Sequence, residues 1–166
     1  MLKPQDALVL LKLTVAGNAW SYPSLAESLG MSASEVHAAV GRAGRSGLYD
    51  AKHRSPNRKA LLEFLVHGLR YVFPAERGAL TRGLPTAHAV PPLKAKIQAS
   101  ADPPPVWPDP EGTVRGEELR PLYPSVPGAA RRDPALYELL ALVDAIRGGR
   151  ARERKLAIAE LQARLS

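Results

Sequence analysis

Ser34, His37, Arg42 and Arg45 fall within one short stretch, SEVHAAVGRAGR, and carry the groups that pair with phosphates and base edges. A hydroxyl or imidazole can donate to or accept from a base edge, and a guanidinium can hold a phosphate or a guanine. Ala38 and Gly41 between them lack bulk, so a ligand could approach the backbone closely. Ser21, Ser24, Lys52, Arg54, Arg58 and Lys59 flank the stretch and add candidate phosphate contacts. Arg77 and Arg82 lie further on, in the glycine-rich run PAERGALTRGLP.

No other constellation competes with this one. His37, His53, His67 and His88 are scattered, with no HExxH and no metal-ligand spacing. Cysteine is absent, which excludes disulfides, thiol catalysis and Cys-based zinc sites. There is no GxxxxGKS/T, no GxSxG and no GxGxxG after a strand. Glu117-Glu118 reads as a solvated turn, and nothing pairs a nucleophile with a base. The expectation is a non-enzyme without metal or cofactor.

The elements that must position these residues are helical. Tyr22, Leu25, Ala26 and Leu29 fall at i, i+3, i+4 and i+7, one face of a short helix, and Gly30 stops it. Ser32 and Glu35 have capping-box spacing and open a second helix. Its apolar stripe is Val36, Ala39, Val40 and Ala43, and Gly47 closes it. Ser34, Ala38, Gly41 and Arg45 then face away from the stripe, with His37 and Arg42 at its borders. Two such helices cannot bury their faces alone. Lys3 to Val15, with Pro4 in its first turn, supplies the third.

This order resembles a DNA-binding helix-turn-helix. More closely, it resembles the N-terminal half of winged-helix regulators of the MarR kind. The shared skeleton is Leu25-Ala26, Leu29-Gly30, Ser32, Val36, Ala43 and Gly47-Leu48. The resemblance implies a double-stranded DNA binder, a transcriptional regulator and a homodimer joined by terminal helices. Its two recognition helices would then lie ~34 Å apart.

Charge agrees with such a partner. The net charge is +7, and residues 1–70 hold nine Lys/Arg against five Asp/Glu. The apolar run of the N-terminus is interrupted by Asp6 and Lys12 and is too short for a membrane span. With no secretory pattern and no cysteine, the expected location is the cytoplasm.

Beyond Gly47 the pattern departs from the family. Leu48-Tyr49 can start a strand, but AKHRSPN leaves little room for a return. Ser55-Pro56 reads instead as the start of a helix through RKALLEFLVHGLR. A later hairpin could replace the wing, with strands at Tyr71-Val72-Phe73 and Thr86 to Val90 and Arg77 and Arg82 at its tip. Eleven prolines between Pro85 and Pro127 forbid a long helix there. Yet Val106, Trp107, Val114, Leu119, Leu122, Tyr123 and Val126 are too apolar for a solvated linker. They suggest an extended arm, with a short hairpin turned at Glu111-Gly112. Asp133 and Pro134 then open a helix with Leu136, Leu139, Leu140, Val143 and Ile146 inward. Gly148-Gly149 separate it from a last helix carrying Leu156, Ile158, Leu161 and Leu165.

The expected fold is mainly α with a small β component. A winged-helix-like domain at 1–90 precedes a proline-rich arm at 91–132 and a C-terminal helical hairpin at 133–166. The alternative function is an antitoxin-like or scaffold protein. It would hold a protein partner through Pro85–Val126 and Leu136–Leu165.

Overall fold

The backbone N–H of Lys3 donates to Asp6 Oδ2 (2.9 Å), and Pro4 occupies the first turn, so α1 (Pro4–Ala16) starts where the sequence caps it. The computed structural model describes all 166 residues. Helix α1 is buried on nearly every side through Ala7, Leu8, Val9, Leu10, Leu11 and Leu13, as a central helix must be.

Helix α2 (Tyr22–Leu29) begins at Ser21, whose Oγ accepts from Ser24 N (3.1 Å). It ends at Gly30, which adopts φ 65°, a left-handed conformation that a side chain would strain. Helix α3 (Ala33–Arg45) opens with the expected capping box. Ser32 Oγ accepts from Glu35 N (3.1 Å), and Glu35 Oε1 accepts from Ser32 N (3.2 Å). Val36, Ala39, Val40 and Ala43 are buried against α1 and α2, as their spacing requires.

After α3 come the short strands β1 (Tyr49–Asp50) and β2 (Ser55–Pro56), paired antiparallel. This corrects the reading of Ser55-Pro56 as a helix start. Asn57 is the cap instead, its side chain accepting from Ala60 N (3.2 Å). Helix α4 (Arg58–His67) follows, then Gly68 and the single turn α5 (Leu69–Val72).

The late hairpin is not formed as expected. Tyr71 and Val72 end α5, and Ala87–Ala89 is a 3-10 turn. The strand is the supposed tip itself, β3 (Arg77–Pro85). Its partners come from the proline-rich segment: β4 (Pro105–Pro108) and β5 (Val114–Leu119), each antiparallel to β3. Since β4 and β5 run parallel, the expected hairpin at Glu111-Gly112 is a plain turn, and the three strands close on one another. The strands cross so tightly at Gly83 that a Cβ there would lie 2.0 Å from Trp107 O. The end of the expected arm is helical, as α6 (Val126–Arg132).

The chain ends in α7 (Pro134–Gly148), capped by Asp133, and α8 (Ala151–Leu165). Their apolar faces are covered within the chain, α7 against α1 and α8 against α4. One core of 37 buried residues runs from Ala7 to Leu165, so segments 1–90, 91–132 and 133–166 share a single interior. The arm belongs to it through Trp107. Trp107 Nε1 donates to the buried Asp144 Oδ2 of α7 (2.7 Å), which also accepts from Thr86 Oγ1 (2.7 Å). Arg147 Nη2 donates to the other oxygen of Asp144 (3.1 Å). The fold is thus mainly helical with a small sheet component, and no helix is long and apolar enough to cross a membrane.

Candidate nucleic-acid interface

Packing of α3 on α1 leaves one side of α3 to solvent. Ser34, His37, Ala38 and Arg45 are exposed and Gly41 is half-buried. A Cβ added at Gly44 would meet nothing within 4 Å, and at Gly41 only the Arg45 guanidinium, at 3.5 Å. The outward side of α3 is smooth and unobstructed.

Arg42 does not share that side. Its Nε and Nη2 donate to Asp6 Oδ2 and Oδ1, both at 2.8 Å, and this hydrogen bonding holds the guanidinium above its ordinary pKa. Asp6 is buried, so Arg42 fixes α3 on α1 rather than reaching a ligand. This corrects Arg42 as a contact residue.

The β1–β2 turn stands beside the C-terminal end of α3. Asp50 Oδ1 accepts from Lys52 N (2.9 Å) and His53 N (3.3 Å), and His53 Nδ1 donates to Asp50 Oδ2 (2.5 Å). Hydrogen bonding from His53 keeps the Asp50 carboxyl below the usual carboxylate range. The Asx-type turn leaves Lys52 projecting into solvent. Arg54 has φ 51°, unusual for a residue with a side chain. Trp20 holds it there. Trp20 Nε1 donates to Arg54 O (3.0 Å), Arg54 Nη2 donates to Trp20 O (3.2 Å), and the guanidinium stacks 4.3 Å above the indole.

An open concavity of about 540 Å³ lies between these elements. Tyr22, His37, Val40, Gly41, Gly44, Arg45, Tyr49, Ala51 and Arg54 line it, with two arginines and no carboxylate among them. Tyr22 stacks on His37 with ring centroids 4.7 Å apart, and Trp20 contacts both Tyr22 and Tyr49. The aromatic row fixes the spacing between α2, α3 and the turn. Burial pushes the Tyr49 phenol up, so it stays neutral. Such a surface presents cations and flat apolar groups, which suits a phosphodiester backbone and base edges.

The remaining candidates divide. Ser21 and Ser24 lie at the exposed start of α2 and cap each other, Ser21 N donating to Ser24 Oγ (2.9 Å). Arg58 Nη2 donates to Thr14 O (2.9 Å) and closes the end of α1, so its charge is half-committed to the fold. Lys59 is exposed on α4. Arg77 pairs with Glu117 (2.9 Å) and also donates to Gly148 O, so it braces β3 on α7 and is no tip residue. Arg82 is exposed on β3, away from the concavity lining. Sequence reasoning missed Tyr49 and Gly44, and it took Tyr22 only as a core position. The signal for Tyr22 was its place directly after the α2 cap, where one edge of a large ring remains exposed. No three His, Asp or Glu residues gather into a metal-binding group.

Compared with known proteins, the chain matches no family model, no curated protein and no solved structure.

Proposed function

We propose that this chain binds double-stranded DNA by setting α3 into the major groove, with the 51–54 turn against the adjacent backbone, and that it acts as a transcriptional regulator. In this reading α1–α3 and the β1–β2 turn form a winged-helix-like unit with a wing of minimal length. The observation that carries it is the outward side of α3, Ser34, Ala38, Gly41 and Arg45, which is open and adjoins a carboxylate-free concavity. Arg45 and Lys52 hold phosphates, His37 and Ser34 reach base edges, and Ser21 and Ser24 present the start of α2 to the backbone. Affinity is mainly electrostatic and falls with salt. Fluorescence anisotropy with duplexes from the gene's own upstream region tests this: salt-sensitive binding supports it, and no binding at low salt refutes it.

The antitoxin-like or scaffold alternative drew on the apolar proline-rich arm and the basic C-terminal hairpin. Trp107 of the arm and the apolar faces of α7 and α8 are buried within the chain, α7 against α1 and α8 against α4. A homodimer remains part of the proposal, but not through the terminal helices, whose apolar faces are covered within the chain.

A further inference from the structure

Outside the concavity, part of the charge is self-neutralised. The cleft between α8 and the 94–105 segment pairs His88 with Glu153 (3.4 Å) and Arg150 with Asp102 (3.6 Å). The end of the β3–β5 ribbon is different. Arg82 lies directly opposite Arg115 in antiparallel register, so both side chains leave the same side of the ribbon, and both are exposed. Like charges facing each other across a ladder repel, and a nearby carboxylate normally offsets them. Here Glu118 lies on the other face of β5, and the remaining carboxylates are committed elsewhere. Glu117 pairs with Arg77 (2.9 Å), while Asp109 and Glu111 both turn to Arg131, Glu111 at 3.5 Å. Neither Arg82 nor Arg115 has an ion-pair partner.

We propose that Arg82 and Arg115 form a phosphate clamp, a second contact for the backbone of the duplex that α3 reads. The inference rests on the DNA-binding reading above. Its location supports it. Asp109 N donates to Arg82 O (3.2 Å), and the Asp109 carboxylate holds Arg131 of α6. The next residue, Arg132, donates through Nη2 (3.0 Å) and Nε (3.2 Å) to Ser28 O at the end of α2. Helix α6 therefore connects the β3 backbone at Arg82 to the α2–α3 turn, at the N-terminal end of α3. Lys52 and Arg45 stand at the opposite end, and the 13 residues of α3 span roughly 20 Å between them. In the proposed complex the duplex backbone would meet the ribbon arginines near one end of α3 and Arg45 and Lys52 at the other.

Salt-titrated anisotropy on a labelled random-sequence duplex tests the clamp with the full chain. The variants are R82A/R115A and, as a charge-matched control, R152A/K155A on the exposed side of α8. Removal of the clamp should lower affinity roughly tenfold and reduce the slope of log K against log salt by about 2, and the control should change the slope by about half of that or less. The melting temperature of R82A/R115A should equal or exceed that of the wild type, since a repulsion is removed. A clamp variant indistinguishable from the control overturns the clamp and leaves the DNA-binding reading standing. Wild-type protein that binds no duplex overturns both.

Discussion

Arg42 reaches across from α3 to hold both oxygens of the buried Asp6 carboxylate, with each of two N–H groups 2.8 Å away. One bidentate pair therefore sets how α3 sits on α1. Breaking a buried pair leaves an uncompensated charge in the core, at about 3–5 kcal/mol. Arg42→Met and Asp6→Asn should each lower the unfolding free energy in urea by that order. The double variant should lose clearly less than the sum. An Arg42→Met midpoint equal to wild type would remove the pair from the packing of α3.

Trp20 and Arg54 pin the β1–β2 turn to the loop before α2. Arg54→Gly relieves the positive φ but deletes the stack and the Arg54 Nη2 bond. It should leave global stability within about 1 kcal/mol while amide exchange at Lys52 and His53 quickens. Trp20 fluorescence should shift to the red. Unchanged exchange would mean that the turn is rigid without the Trp20–Arg54 stack.

Burial alone would raise the Asp133 carboxyl. Hydrogen bonds from Lys12 Nζ (2.7 Å) and the Leu136 N–H (3.2 Å) outweigh it and hold the group below the usual range. The native state therefore binds fewer protons than the unfolded chain in acid. The contribution is complete above the ordinary carboxylate pKa near 4 and is lost as pH falls through the folded value. Asp133→Asn keeps a capping oxygen for α7 and removes the charge. Its stability should fall less than wild type between about pH 5 and pH 2. Parallel acid limbs would exclude the Lys12 pair as a source of stability.

Tyr137 behaves in the opposite direction. Burial pushes its phenol up to about 12, and its hydroxyl donates to Pro85 O (2.5 Å). The native state keeps this proton longer than the unfolded chain, so its contribution is present below about pH 10 and lost towards pH 12. In Tyr137→Phe the alkaline fall of the denaturation midpoint should be shallower than in wild type. An identical fall would assign the alkaline limb to other groups.

The N-terminal helices were legible because their signals are local. The Ser32–Glu35 box, the Gly30 stop and the i, i+3, i+4 stripes act within a few residues. The sheet was not legible, because β3 shows no alternation of apolar and polar residues. It is held by partners more than 20 residues away, and its glycines permit a close crossing rather than a turn. The β1–β2 turn was dismissed on length, although two residues per strand suffice when Asp50 organises the turn. Arg42 was misassigned because helical periodicity placed it beside the open side, and its partner lies 36 residues back. A signal did exist. Asp6 and Lys12 interrupt an otherwise apolar helix, and a buried charge demands a partner. Both have one, in Arg42 and Asp133.

Docking through α3 is tested most directly by reversing one charge on its open side. Arg45 is exposed, makes no ion pair and lines the concavity, so Arg45→Glu should keep the protein folded, at a cost of about 1 kcal/mol for an anion in the last turn of α3. Wild type should bind an upstream duplex with an affinity that falls steeply between 50 and 200 mM salt. At 50 mM salt the variant should bind roughly tenfold more weakly or worse, with a deficit that narrows as salt rises. A folded Arg45→Glu protein that binds the duplex as tightly as wild type would contradict an interface on α3.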